Sequence, residues 1–191
     1  MDIICSGALS FVLGFLSSWV FWRHLIHIRP SLELCREVAR CQSEKYQGTE
    51  LLKFKVVNKS NRNAVDVFAG CTVSYLRDVP GGKRSYVLER LNVVMPSFEL
   101  IGPRKNLGDH FGLSPVKVFT VHVTDTMDAN LARESARLVF TLKATDALSG
   151  STTVIRHTYV AKSIRRGEFA YGLGAGIVEM RNNEPCTAGN A

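Results

Sequence analysis

Catalytic signatures are missing from this sequence. It holds no Gly-x-Ser-x-Gly, no His-Glu-x-x-His and no phosphate-binding loop of the Gly-rich, Lys-ending type. That removes the common routes to acyl transfer, zinc hydrolysis and nucleotide hydrolysis. Paired cysteines are missing as well. Cys5, Cys35, Cys41, Cys71 and Cys186 form no Cys-x-x-Cys. Their odd number argues against a disulfide framework and their spacing against a zinc site. Free thiols of a reducing compartment are the expectation. Histidine is sparse: His24 and His27 follow an apolar run, and His122 and His157 fall in strand-like stretches as structural residues. No metal and no cofactor is expected. Gly172 to Gly176 is glycine-rich, but no βαβ unit surrounds it, so it reads as a flexible exit from the last strand.

Charge is absent from Ile3 to Trp22 and regular thereafter. At 1.5 Å per residue, about 20 apolar residues match a hydrocarbon core of roughly 30 Å. Trp19 and Trp22 stand at one end, where amphipathic rings prefer an interface, and Arg23 and Arg29 follow. The n-region is only Met1-Asp2, and no small-residue cleavage site closes the run, which argues against a cleaved signal peptide. Residues 1–28 are therefore expected to be a transmembrane anchor touching the lipid bilayer. Positive charge after the helix would place the C-terminal domain in the cytoplasm. Ser6, Ser10, Gly14 and Ser18 recur every four residues and would line one helical face for close packing.

After Pro30 the periodicity changes. Leu51 to Val57 sets Phe54 and Val56 against Lys53 and Lys55 in strand-like alternation. Ala64 to Leu76, Ser85 to Val94, Val116 to Val123, Arg137 to Ala144 and Thr152 to Val160 continue it. Turn chemistry separates these runs at residues 58–63, at Pro80-Gly81-Gly82 and at residues 146–151. Pro96 to Pro115 is the least regular stretch and reads as a long loop with one short strand. Seven or eight such strands make an all-β domain, an immunoglobulin-like β-sandwich over residues 29–172. Residues 173–191 are expected to be a flexible tail. The net charge of +7 is scattered. It forms no stripe with interleaved aromatics, so no nucleic acid is expected as a partner. A basic surface beside anionic lipid headgroups fits it better.

Several stretches resemble the cytoplasmic C-terminal domain of inward rectifier potassium channels. Ala144 to Tyr159 holds a hairpin turn with Ser149-Gly150 and ends on Tyr159; Ile164-Arg-Arg-Gly-Glu-Phe169 follows with Gly167 and Phe169. Upstream, Phe54 to Val67 resembles that domain's strand-and-turn motif around Asn58. Phe119 to Asp125 is similar to its strand ending in Asp, and Arg29-Pro30 to the pair that closes the inner pore helix. The resemblance spans roughly residues 29–172. It implies an immunoglobulin-like cytoplasmic domain that assembles into a ring and responds to ligands. The pore is not matched: a single helix precedes the domain, and no TVGYG-like filter is present to replace the potassium hydration shell.

The resulting expectation is a non-enzymatic, single-pass protein, of bacterial inner-membrane type, that presents a channel-type regulatory β-domain. It would form a homo-oligomer or join a membrane partner. A potassium-transport component and a ligand-gated membrane effector of bacterial defence type are the alternatives.

Overall fold

The computed structural model describes residues 2–27, 29–43, 46, 48–107, 113–133 and 135–178, with side chains omitted for residues 2–9 and 25–27. An N-terminal helix α1 (Asp2–His27) precedes a strand-rich region. The first sheet is built on β3 (Thr49–Asn58). One edge of β3 pairs with β7 (Val116–His122); the other pairs with β1 (Leu32–Leu34) and β2 (Val38–Ser43), placed end to end. The last member, β10 (Ile164–Arg166), lies parallel beside β2.

The second sheet is built on the long β4 (Ala64–Val79). Strands β5 (Lys83–Leu91) and β6 (Ser97–Ile101) share one of its edges, and β8 (Arg137–Asp146) takes the other. A regular antiparallel hairpin then adds β9 (Thr152–Tyr159) to β8. Its turn uses residues 147–150, with Gly150 at φ +67° where a side chain would be strained.

Alternation decides which face is buried. Phe54 and Phe119 from the first sheet meet Phe140 and Tyr159 from the second. Phe54 and Phe140 stack at 4.5 Å between centroids, and Phe98 of β6 meets Phe119 edge-on at 5.0 Å. Aromatic contacts of this geometry add to the free energy of area burial. The two sheets thus close on one continuous core, which confirms a sheet-rich, all-β domain. The short helix α2 (Asp125–Leu131) plugs one end with Met127 and Leu131; Thr124 caps it by accepting from Met127 N.

One expectation is overturned. Among the described residues, no helix is long and apolar enough to cross a membrane. In α1 small and polar residues interrupt the apolar run. Gly14, Ser17 and Ser18 lower its mean hydropathy, and Ser17 Oγ folds back to donate to the Gly14 carbonyl at 3.0 Å. The transmembrane anchor over residues 1–28, the single-pass membrane localisation and the orientation derived from it are withdrawn accordingly.

Candidate functional site

The outer face of β3 carries a dense polar construction. Lys53 and Lys55 point away from the core, as their alternation with Phe54 and Val56 requires. Lys55 is buried and Lys53 half-buried. After β10, Gly167 N donates to the Arg40 carbonyl at 3.0 Å, and the chain then turns across the sheet. A small hairpin follows, β11 (Glu168–Phe169) paired with β12 (Ile177–Val178). This C-terminal strap covers both lysines.

Lys53 Nζ donates to Glu168 Oε1 at 2.6 Å. Lys55 Nζ donates to the carbonyls of Ala170 and Gly174, both at 2.7 Å, and lies 5.8 Å from the Phe169 ring centroid. Ala170 N closes the loop on Gly176 O at 2.9 Å. The loop is Ala-Tyr-Gly-Leu-Gly-Ala-Gly, and Gly172 sits at φ +91°. Glycine lets the carbonyls turn inward onto the ammonium group. Residues 173–178 are therefore part of the fold rather than of a flexible tail; residues 179–191 lie outside the described residues.

Lys55 is 2% exposed. Burial pulls its pKa below the ordinary lysine range, and the nearby Cys35 thiol offsets part of this. Cys35 is pushed up by burial, with Lys55 opposing. A buried charge needs hydrogen-bond partners to be tolerated, and the two carbonyls take two of the three ammonium N–H groups. Behind Lys55, Cys35 N donates to the Lys55 carbonyl at 3.1 Å, and Tyr159 Oη donates to the Cys35 carbonyl at 2.7 Å. Cys35, Cys41 and Cys71 are free and buried.

A second polar group joins the sheet to α2. Arg40 donates through Nε to Glu50 Oε2 at 2.8 Å, and through Nη1 and Nη2 to the two Asp128 oxygens at 2.9 and 2.6 Å. Burial lowers the Arg40 pKa, but the hydrogen bonds to Asp128 and Glu50 outweigh it and hold the group above its ordinary value. A two-carboxylate fork of this kind fixes α2 against the strand.

The residues singled out in the sequence fall in separate places. Asn58 is fully buried at the end of β3. Its Nδ2 donates to the Arg62 and Gly102 carbonyls at 2.7 and 2.8 Å, and its Oδ1 accepts from Ser60 N and Ser60 Oγ. It organises the turn that leads into β4. Asp125 is exposed at the first position of α2. Ser149 and Gly150 form the β8–β9 turn, where Asp146 Oδ1 accepts from Leu148 N and Ser149 N. Tyr159 is core, and Gly167 and Phe169 belong to the strap. Ser10, Gly14 and Ser18 are exposed on α1; the side chain of Ser6 lies outside the described residues. Trp19 and Trp22 are exposed, Arg23 lies over the Trp19 ring at 5.5 Å, and Arg29 is exposed. Of these, Phe169 meets Lys55 directly, and Tyr159 reaches it through Cys35. Sequence reasoning missed Lys53, Lys55 and Arg40. A lysine in an alternating strand carries no mark of what will cover it.

Among the described residues, no group of histidine, cysteine and carboxylate side chains is arranged to hold a metal ion. No family model and no curated protein matches the chain. Among solved structures, the sporulation control protein Spo0M from Bacillus subtilis aligns at 13% identity over 70% of this chain, with a TM-score of 0.33. The chain spans about half of Spo0M, 49% of its length. A structural genomics target, SoR45, aligns at 10% identity over 75% of this chain and 95% of its own, with a TM-score of 0.31.

Proposed function

We propose that the chain is a non-enzymatic assembly module. In this reading an immunoglobulin-like β-sandwich of the inward-rectifier cytoplasmic type is gathered into a homo-oligomer by its N-terminal helix. The observation that carries the reading is the surface of α1. Phe11, Val12, Leu13, Phe15, Leu16, Trp19, Val20, Phe21 and Trp22 are all between 46% and 77% exposed. A contiguous apolar surface of this kind drives association. What covers it here is protein: the same helix from further copies, packed along the face of Ser10, Gly14 and Ser18.

The domain supports a binding role rather than a chemical one. Asn58, Asp146, Lys55 and Arg40 are each engaged in turns, straps or helix docking. The motif residues of the channel-type resemblance also have structural work that fits it: Asn58 builds its turn, Ser149 and Gly150 build the hairpin, and Tyr159 anchors the strand end.

Crosslinking of the full chain tests the proposal, wild type against Gly14→Leu. Nothing lies within 4 Å of a Cβ built on Gly14. The substitution is therefore accommodated in the isolated chain, and any effect reports on packing between chains. Multimers in the wild type that shrink to monomer in the variant are expected. A monomeric band in both would refute the proposal.

A further inference from the structure

The outward face of the second sheet carries cations set among threonine, valine, leucine and tyrosine side chains. Alternation and register place Arg137, Val139, Thr141, Lys143 and Thr145 of β8 on that face, beside Thr152, Val154, Arg156 and Thr158 of β9. On the other side Thr72 pairs with both Val139 and Arg90, so Arg90 faces outward too. Arg90, Arg137, Lys143 and Arg156 are all exposed. Among the described residues, none of the four has a carboxylate partner.

Most nearby acids are turned away or distant, and Asp66 on β4 lies one strand from Lys143 on β8. Glu89 points to the interior side and accepts from Asn130 Nδ2 at 2.9 Å. Asp146 is buried in its turn. Asp78 holds Arg84 at the far end of the β4–β5 ribbon. Asp66 and Glu99 are exposed at the β4–β6 end, about 10 Å or more from β9 at a spacing of ~4.8 Å per strand.

Strand β9 closes this face with an open edge. It is eight residues long, has no proline, pairs with β8 without a bulge, and ends its sheet. Natural edges are usually blunted by short length, proline, bulges or charged side chains; among the described residues this edge carries only the last of these, in Arg156. A long regular edge presents unpaired backbone groups at strand spacing, the template for strand addition. The charge then selects the occupant. A second copy of β9 would bring Arg156 close to its own equivalent, and like charges across a strand pair are unfavourable. An acidic strand meets the opposite situation.

We propose that β9 takes an extended acidic segment of a partner protein as an added strand. Alternate carboxylates of the segment lie beside Arg156 and within reach of Lys143 one strand further in. The intervening apolar side chains cover Ile155 and His157, which are half-buried at the rim of the core. The docking edge is independent of α1, so this inference and the assembly proposal stand or fall separately.

The test uses the full chain and a fluorescent peptide of alternating Glu and Val, about eight residues long to match one strand. Binding that weakens with added salt is expected. Arg156→Glu combined with Lys143→Glu should weaken it by about ten-fold or more. Backbone N-methylation at alternate peptide residues keeps the charge but removes the strand hydrogen bonds, and should abolish binding. No peptide binding overturns the inference. So does equal binding of the N-methylated peptide, which would make the face a charge patch only. Tighter binding of a single-stranded oligodeoxynucleotide than of the peptide overturns it as well, because the face would then be a nucleic-acid surface.

Discussion

Lys55 and Ala170 are joined by a 2.7 Å hydrogen bond from an ammonium group to a backbone carbonyl, across 115 residues of chain. The bond ties the middle of β3 to a loop that local sequence would leave free. Gly174 supplies a second carbonyl at the same distance, and Lys53 holds Glu168 alongside. The strap is therefore fixed by side chains from one strand, and its conformation depends on them.

Lys55→Met should release the strap while leaving the core in place. The variant keeps an aliphatic stem of similar length but takes the ammonium group away from both carbonyls. A loss of about 2 kcal/mol is expected. Hydrogen exchange at residues 170–178 should rise far more than exchange in β3 or β8. Unchanged protection in that segment would show that the strap is held by something else.

Gly167→Ala should act on the same segment by a different cause. Gly167 has φ +139°, and a Cβ there would press against the Val178 carbonyl and the Ile177 side chain. Strain and clash together predict a loss of about 2–3 kcal/mol, together with loss of the β11–β12 pairing. Chemical denaturation measures the first and amide exchange the second. A stable variant with an intact hairpin would contradict the geometry.

Stability should fall as pH rises through the alkaline range. Burial raises the Cys71 thiol from its ordinary 9.0 to about 12. Between those values the folded state holds a proton that the unfolded state has lost, so folding is favoured below pH 9 and progressively penalised above it. The slope from this group approaches 1.4 kcal/mol per pH unit. Tyr159, also pushed up by burial, adds in the same direction above its ordinary value of 10.0. Lys55, lowered by burial, acts with the opposite sign just below the ordinary lysine value of 10.5, where the unfolded state binds the extra proton. Urea titrations at several pH values, wild type against Cys71→Val, isolate the thiol. An identical pH slope in both proteins would remove Cys71 from the account.

Much of the domain was legible in its alternation. Val116 to Val123 reads as a strand, and β7 covers Val116–His122. Arg137 to Ala144, the turn at residues 146–151 and Thr152 to Val160 read as a hairpin, and β8 and β9 form one. These elements pair with near neighbours in sequence, so local pattern suffices. The parallel pairing of β10 with β2 does not arise locally; it joins Ile164 to Val38. Helix α2 has seven residues, too few for a helical period to show, and its signal is the Thr124 cap alone. Lys53 and Lys55 carry the pattern of a solvent face, and only the distant strap converts that face into an interior. The apolar run at the N-terminus was legible as a helix. Its small and polar residues, Gly14, Ser17 and Ser18, bear on whether such a helix spans a bilayer.

The central claim is that α1 assembles copies of this chain. Sedimentation equilibrium of the full chain, over a hundred-fold range of concentration, measures it most directly. The account predicts a mass that is a multiple of the 21.2 kDa monomer and that falls toward the monomer in Gly14→Leu. A monomeric mass for the wild type at every concentration would contradict it.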